Sequence, residues 1–186
     1  MKTGKVIRIL AVALGIALAT TMASAQAINS GAQTIALNAT LAESLTLSLS
    51  ANAVNFTLAA GSANNAGSTN ITATTAWVLK PGRTAVGVYA YFASAAAALT
   101  DGAGDNIPSS AFFIADNAGP STALTATVPY GGALAGLQLA NVSITGANKN
   151  SSRTDAMAFN INLSTLPQLP ANTYTGTLNI QAQATP

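Results

Sequence analysis

The chain has no cysteine and no histidine, and only 6% of its residues are charged. Without cysteine the fold is not a disulfide scaffold. Without histidine or cysteine, neither a Ser-His-Asp nor a Cys-His nucleophilic arrangement can be built. Carboxylates are scarce too. They are Glu43, Asp101, Asp105, Asp116 and Asp155, and four of the five fall in apparent loops or turns. A glycosidase needs two carboxyls facing each other across a cleft. Asp101 and Asp105 are the one candidate pair, and the turn-making habit of Asp explains them equally well. The same two residues raise the question of calcium. An EF-hand loop counted from Asp101 wants an oxygen ligand at its third position, Gly at its sixth and Glu at its twelfth. The chain has Ala103, Asn106 and Phe112 there. These absences point to a protein that is not an enzyme, with no cofactor and no built metal site.

Positive charge is short where it matters. Lys2, Lys5 and Arg8 precede the apolar run Ile9 to Ala19, and Ala23-Ser24-Ala25 follows as an A-x-A cleavage motif. This is the pattern of a secretory leader. The apolar run is short of the ~20 residues that span a bilayer, and no other segment qualifies. The expected division is residues 1–25 as a cleaved signal peptide and residues 26–186 as a single domain, secreted or held at the cell surface. The domain then keeps Lys80, Arg83, Lys149 and Arg153 against the five carboxylates, a net charge of −1. Four scattered cations cannot neutralise a run of phosphates, so nucleic acid is not an expected partner. Charge is also one of the devices that keep exposed strand edges from pairing. A surface wetted by Ser, Thr, Asn and Gln suits self-association or packing against another surface protein. It also suits a plain extracellular domain.

What is present is alternation. Val54 to Leu58, Asn70 to Leu79, Ala111 to Ala115, Thr122 to Val128, Met157 to Leu163 and Tyr174 to Gln183 read as strands with one apolar face. Turn-rich clusters separate them, with Gly146 to Asp155 as a polar connection. Pro81-Gly82 fits the centre of a type II turn and predicts a hairpin joining WVLK to RTAVGVYAYF. In Leu137 to Thr145 the apolar parity changes, which predicts a bulge near Ala140-Asn141. Many short alternating strands with no composition break predict an all-β fold, an immunoglobulin-like antiparallel β-sandwich.

The longest alternating stretch, Thr34 to Ser50, places Ile35, Leu37, Ala39, Leu41, Glu43, Leu45, Leu47 and Leu49 on one face. It is far longer than the typical strand of about five or six residues. Two readings fit. The stretch bends at Ala42-Glu43 and passes between sheets of its own domain, which sandwich geometry favours. Alternatively Ile35, Leu37, Ala39 and Leu41 form an assembly strand that completes a neighbouring molecule by β-strand addition. Glu43, alone among apolar neighbours, is exposed at a bend, paired with Lys80 or Arg83, or placed to assist a Lys–Asn crosslink. A further candidate is a carbohydrate-binding face using Trp77, Tyr89 and Tyr91, with Tyr89 and Tyr91 opposite the apolar Val86 and Val88.

The exported N-terminus leading into QTIALNATLAESLTLSLSANAVNFTLAAG, and the close LPANTYTGTLNIQAQA, resemble secreted bacterial β-sandwich surface proteins of the spore-coat-U and fimbrial-subunit type. The resemblance implies an immunoglobulin-like sandwich and a structural or adhesive surface role. It supplies no catalytic residue. The function expected is therefore that of a cell-surface structural protein, a fimbria-like subunit, with a carbohydrate-binding or adhesive module as the alternative.

Overall fold

The computed structural model describes residues 28–186. The predicted leader and its cleavage motif lie outside the described residues. No helix among the described residues is long and apolar enough to cross a membrane. The chain divides into two units at Thr40/Leu41. In the described part of the first, residues 28–40, there is neither strand nor helix and every side chain is exposed.

The second unit is all-β. Its strands in chain order are β1 (Ser44–Leu49), β2 (Asn65–Ala66), β3 (Ile71–Val78), β4 (Ala85–Tyr91), β5 (Leu99–Thr100) and β6 (Asn106–Ile107). They continue with β7 (Phe112–Asp116), β8 (Ser121–Ala123), β9 (Gly136–Ser143), β10 (Asn150–Ile161) and β11 (Asn179–Thr185). A single 3-10 turn, Ser109–Ala111, precedes β7. One sheet runs β1-β3-β10-β7-β8, with β2 also on β10. A second runs β11-β4-β9, and β5 and β6 form a small ribbon. Every pairing is antiparallel.

The alternation in the sequence is what holds the two sheets together. In β3, Ile71, Ala73, Thr75 and Trp77 are buried while Thr72, Thr74, Ala76 and Val78 are half-buried on the other face. In β4, Val86, Val88 and Ala90 point inward and Tyr89 and Tyr91 outward. Ile71, Ala73, Met157 and Phe159 of the first sheet share one apolar cluster with Ala90 and Phe92 of the second. Phe112 sits at its centre, packed edge-on against Phe56 and Phe92 with ring centroids 5.8 and 5.2 Å away. A second cluster joins Trp77 and Leu79 to Val86.

The predicted hairpin is not formed. Gly82 has φ +97°, as a type II turn requires, but β3 and β4 belong to different sheets. Trp77 and Val86 face each other across the core, and that burial outweighs pairing side by side. The connection from Gly146 to Asp155 is also shorter than expected. β10 begins at Asn150 because Ser151, Arg153 and Asp155 pair with Trp77, Thr75 and Ala73. The predicted bulge is present one residue early. Val88 opposes Ala140 and Tyr89 opposes Gln138, leaving Leu139 as the extra residue. It returns Ala140, Val142 and Ile144 to the inner face after the parity change.

Between β7 and β8, Asn117 and Ala118 have φ +49° and +59°. Two successive positive φ values define a type I′ hairpin turn. Asn117 tolerates the conformation and is held by Ala156, whose N–H donates to Asn117 Oδ1 at 3.0 Å. Ala118 does not, because its Cβ crowds the following carbonyl at a cost of about 1–2 kcal/mol. Ala118→Gly is expected to stabilise the fold by about 1 kcal/mol, read as a higher urea midpoint at unchanged m-value.

Candidate functional site: an apolar groove between two half-paired edges

The edge strands of the two sheets, β1 and β11, are pinned at one end. Arg83 donates from Nε to Glu43 Oε1 at 2.8 Å and from a terminal nitrogen to Oε2 at 3.3 Å. The same guanidinium donates to the carbonyl of Ala184 in β11 at 3.3 Å. Lys80 Nζ lies 3.8 Å from Glu43. Glu43 is exposed beside Ala42, as one reading expected, and is paired with Arg83 and Lys80, as another did. The Arg83 hydrogen bond holds its carboxyl below the usual range.

Away from that pin, both edges lose their ladders. Residues 54–58 and 174–178 alternate as strands should, yet neither segment forms one. The first is bridged at a single point, Phe56 to Gly67, and the second at Thr175 to Thr100. Gly176 lies so close to Ala98 that a Cβ there would collide with the Ala98 carbonyl oxygen. Each segment is thus held along one side only. Val54, Phe56 and Leu58 on one wall and Tyr174 and Leu178 on the other turn their apolar faces inward. Between them lies a groove of about 790 Å³ whose floor includes Ile71, Phe92, Phe112, Met157 and Phe159.

The second wall is fastened by Asp101. Its Oδ1 accepts the backbone N–H groups of Ala103, Gly104 and Asp105 at 2.8, 3.1 and 3.1 Å. Its Oδ2 accepts from the Asn172 amide at 3.0 Å. The N–H of Ala103, foremost among these donors, keeps the Asp101 carboxyl below its ordinary range. Both oxygens of this calcium candidate are therefore engaged by N–H donors of its own chain. No group of three or more acidic side chains able to hold a metal occurs among the described residues.

Beyond Met157 the core turns polar. Thr75 and Asp155 are fully buried. Arg153 donates from Nε to Asp155 Oδ1 at 2.6 Å, and its NH2 group lies 3.6 Å from Asp116 Oδ2. Asn117 Nδ2 donates to both carboxylates at 3.2 Å. This layer separates the two apolar clusters, because Thr75 lies between Ala73 and Trp77 on β3. Thr75 Oγ1, Asp116 Oδ1 and Asp155 Oδ2 are buried without a hydrogen-bond partner. One guanidinium facing two carboxylates leaves an excess negative charge. Burial, then the charge of Asp155, raises the Asp116 pKa.

The other predicted site residues are dispersed. Ile35, Leu37 and Leu41 are 85%, 90% and 83% exposed, and Ala39 is exposed beside them. No residue from 28 to 43 belongs to a strand, so the expected bend into a second sheet is not seen. Trp77 is 3% exposed and its Nε1 donates to the Asn148 carbonyl at 2.8 Å. It is a core residue and does not join Tyr89 and Tyr91, which lie on the outer face of the other sheet. Their neighbour is Tyr130, from the loop after β8, with centroids 6.1 and 5.7 Å away. Tyr130 carried no periodic signal, because it reaches the sheet from a loop. The chain matches no protein-family model, no curated protein and no solved structure.

The raised pKa of Asp116 has a defined sign. Folding favours its protonated form, so its contribution to stability is complete at low pH and is lost as pH rises through the folded pKa. Asp116→Asn removes the ionisation while keeping an acceptor for Asn117. Its thermal midpoint is expected to exceed that of the parent at neutral pH. The difference should shrink as pH falls below the ordinary Asp value of about 4. A gain of equal size at every pH would show that Asp116 does not titrate this way.

Proposed function

We propose that the protein is an exported, non-enzymatic structural subunit of a cell-surface assembly, with an immunoglobulin-like sandwich completed by β-strand addition from another copy. The observation that carries this reading is the groove, bounded by two half-paired edges whose inward side chains are apolar. A strand laid between residues 54–58 and 174–178 would satisfy backbone groups on both walls. Its alternate side chains would cover the Phe92–Phe112–Phe159 floor.

The donor is the segment carrying Ile35, Leu37, Ala39 and Leu41. These four side chains recur at period two, and the three large ones are exposed. Seven residues from 35 to 41 extend roughly 23 Å at about 3.3 Å each, enough to run beside either wall. Burying each large side chain stabilises by about 1.5–3 kcal/mol, a drive that an exposed strand of this pattern otherwise leaves unused. The leader pattern and the resemblance to spore-coat-U and fimbrial subunits support export and a surface location. The near absence of charge suits repeated packing of copies.

The test compares residues 26–186 with a variant lacking residues 26–42, by light scattering and negative-stain microscopy. The longer chain is expected to form filaments or higher oligomers. The shorter is expected to be a monomer of low stability that gains thermal stability on adding a peptide of residues 26–42. Leu37→Asp in the longer chain should block assembly without unfolding the subunit. A longer chain that stays monomeric, or a peptide without effect, would overturn the reading.

A further inference from the structure

The outer face of the β11-β4-β9 sheet is unusual in its chemistry. Reading across the strands, Gln181, Tyr89 and Gln138 form one row, and Gln183, Gly87 and Asn141 the next. No outward position on these three strands is charged. Every row offers amides or hydroxyls, which both donate and accept.

Gly87 sets the geometry. A Cβ built there would lie 2.7 Å from Cε2 and from Cζ of Tyr89 and would collide with its hydroxyl. The hydroxyl end of Tyr89 therefore turns back along the strand over Gly87 and takes the space a Cβ would fill, and the side chain stays half-buried on the outer face. Tyr130 packs beside it, set at 69° to Tyr89 and stacked at 29° on Tyr91. The Tyr91 hydroxyl donates to Gln181 Oε1 at 2.8 Å, which fixes that amide and leaves its NH2 group to point donors elsewhere. Gln138 is exposed, with its Nε2 at the margin of hydrogen bonding to the Tyr89 hydroxyl, 3.5 Å away.

We propose that this face binds a neutral polysaccharide, with Tyr89 as the aromatic contact and Gln181 and Gln138 as the flanking hydrogen-bonding groups. The C–H face of a pyranose packs on an aromatic ring, and its ring of hydroxyls both donates and accepts, as amides do. The lack of charge selects a neutral chain, because an anionic polysaccharide would find no cation on this face. The surface is separate from the groove, so a subunit blocked in strand addition keeps it.

The test is affinity electrophoresis of residues 26–186 through gels containing hydroxyethylcellulose or alginate, with sedimentation on microcrystalline cellulose and chitin. At least one neutral polymer is expected to retain the protein, and alginate is not. Tyr89→Ala should weaken retention at least tenfold and Gln181→Ala severalfold. A thermal melt of each variant establishes that the fold persists. Gln138→Ala, at an exposed position, provides a second readout should Tyr89→Ala fail to fold. Leu37→Asp should retain binding, which separates failure here from failure of strand addition. Absence of retention by every neutral polymer would overturn the proposal. So would retention by alginate alone, or retention unchanged in the folded Tyr89→Ala and Gln138→Ala variants. Loss of self-association in Tyr89→Ala without loss of retention would instead assign the face to contacts between copies.

Discussion

An apolar sheet face has to be covered, and in this protein the two facing sheets are tied across one pair of edges by Arg83 and across the other by the bridge between Ala126, after β8, and Gly136 of β9. Arg83 ties Glu43, just before β1, to Ala184 in β11. From there the edges run on into residues 54–58 and 174–178, which keep the alternation of strands but lose the ladder. The aromatic floor between them is left open along both of these half-paired walls.

The polar layer of Thr75, Arg153 and Asp155 lies where β10 pairs with β3. A buried ion pair gains little over apolar packing, because desolvation offsets its attraction. Its pattern also marks the register. A slip of one residue in β10 would turn Arg153 and Asp155 outward, bring Ser152 and Thr154 inward, and move Met157 and Phe159 off the core. The layer also divides the core, so the closed cluster around Trp77 is packed independently of the cluster that floors the groove.

The scarcity of charge has two structural expressions. Edges that in other β proteins are guarded by Lys or Glu are here unguarded, and residues 179–185 at the edge of the second sheet are only half-buried. The outward faces are wetted by amides and hydroxyls, which order into rows because the strands beneath them do. The Tyr89 contact arises in such a row where Gly87 leaves space for its hydroxyl end.

Alternation by itself determined the all-β character, the inward faces of β3, β4 and the second half of β10, and the parity change that became the bulge at Leu139. These are local properties, since period two sets which side chains share a face whatever the partner strand is. The leader pattern and the charge count are equally local. What only the tertiary structure decided is which faces meet. Pro81-Gly82 has the turn its residues specify, but packing of Trp77 against Val86 sends β4 into the other sheet. Arg153 and Asp155, two apart and so on one face of any strand, read as loop because polarity masks a strand that is held by its pairing with β3. Val54 to Leu58 and Tyr174 to Leu178 have strand sequences without strand partners. Whether an alternating segment completes a ladder depends on a second segment arriving beside it, and that is a property of the assembled sheets.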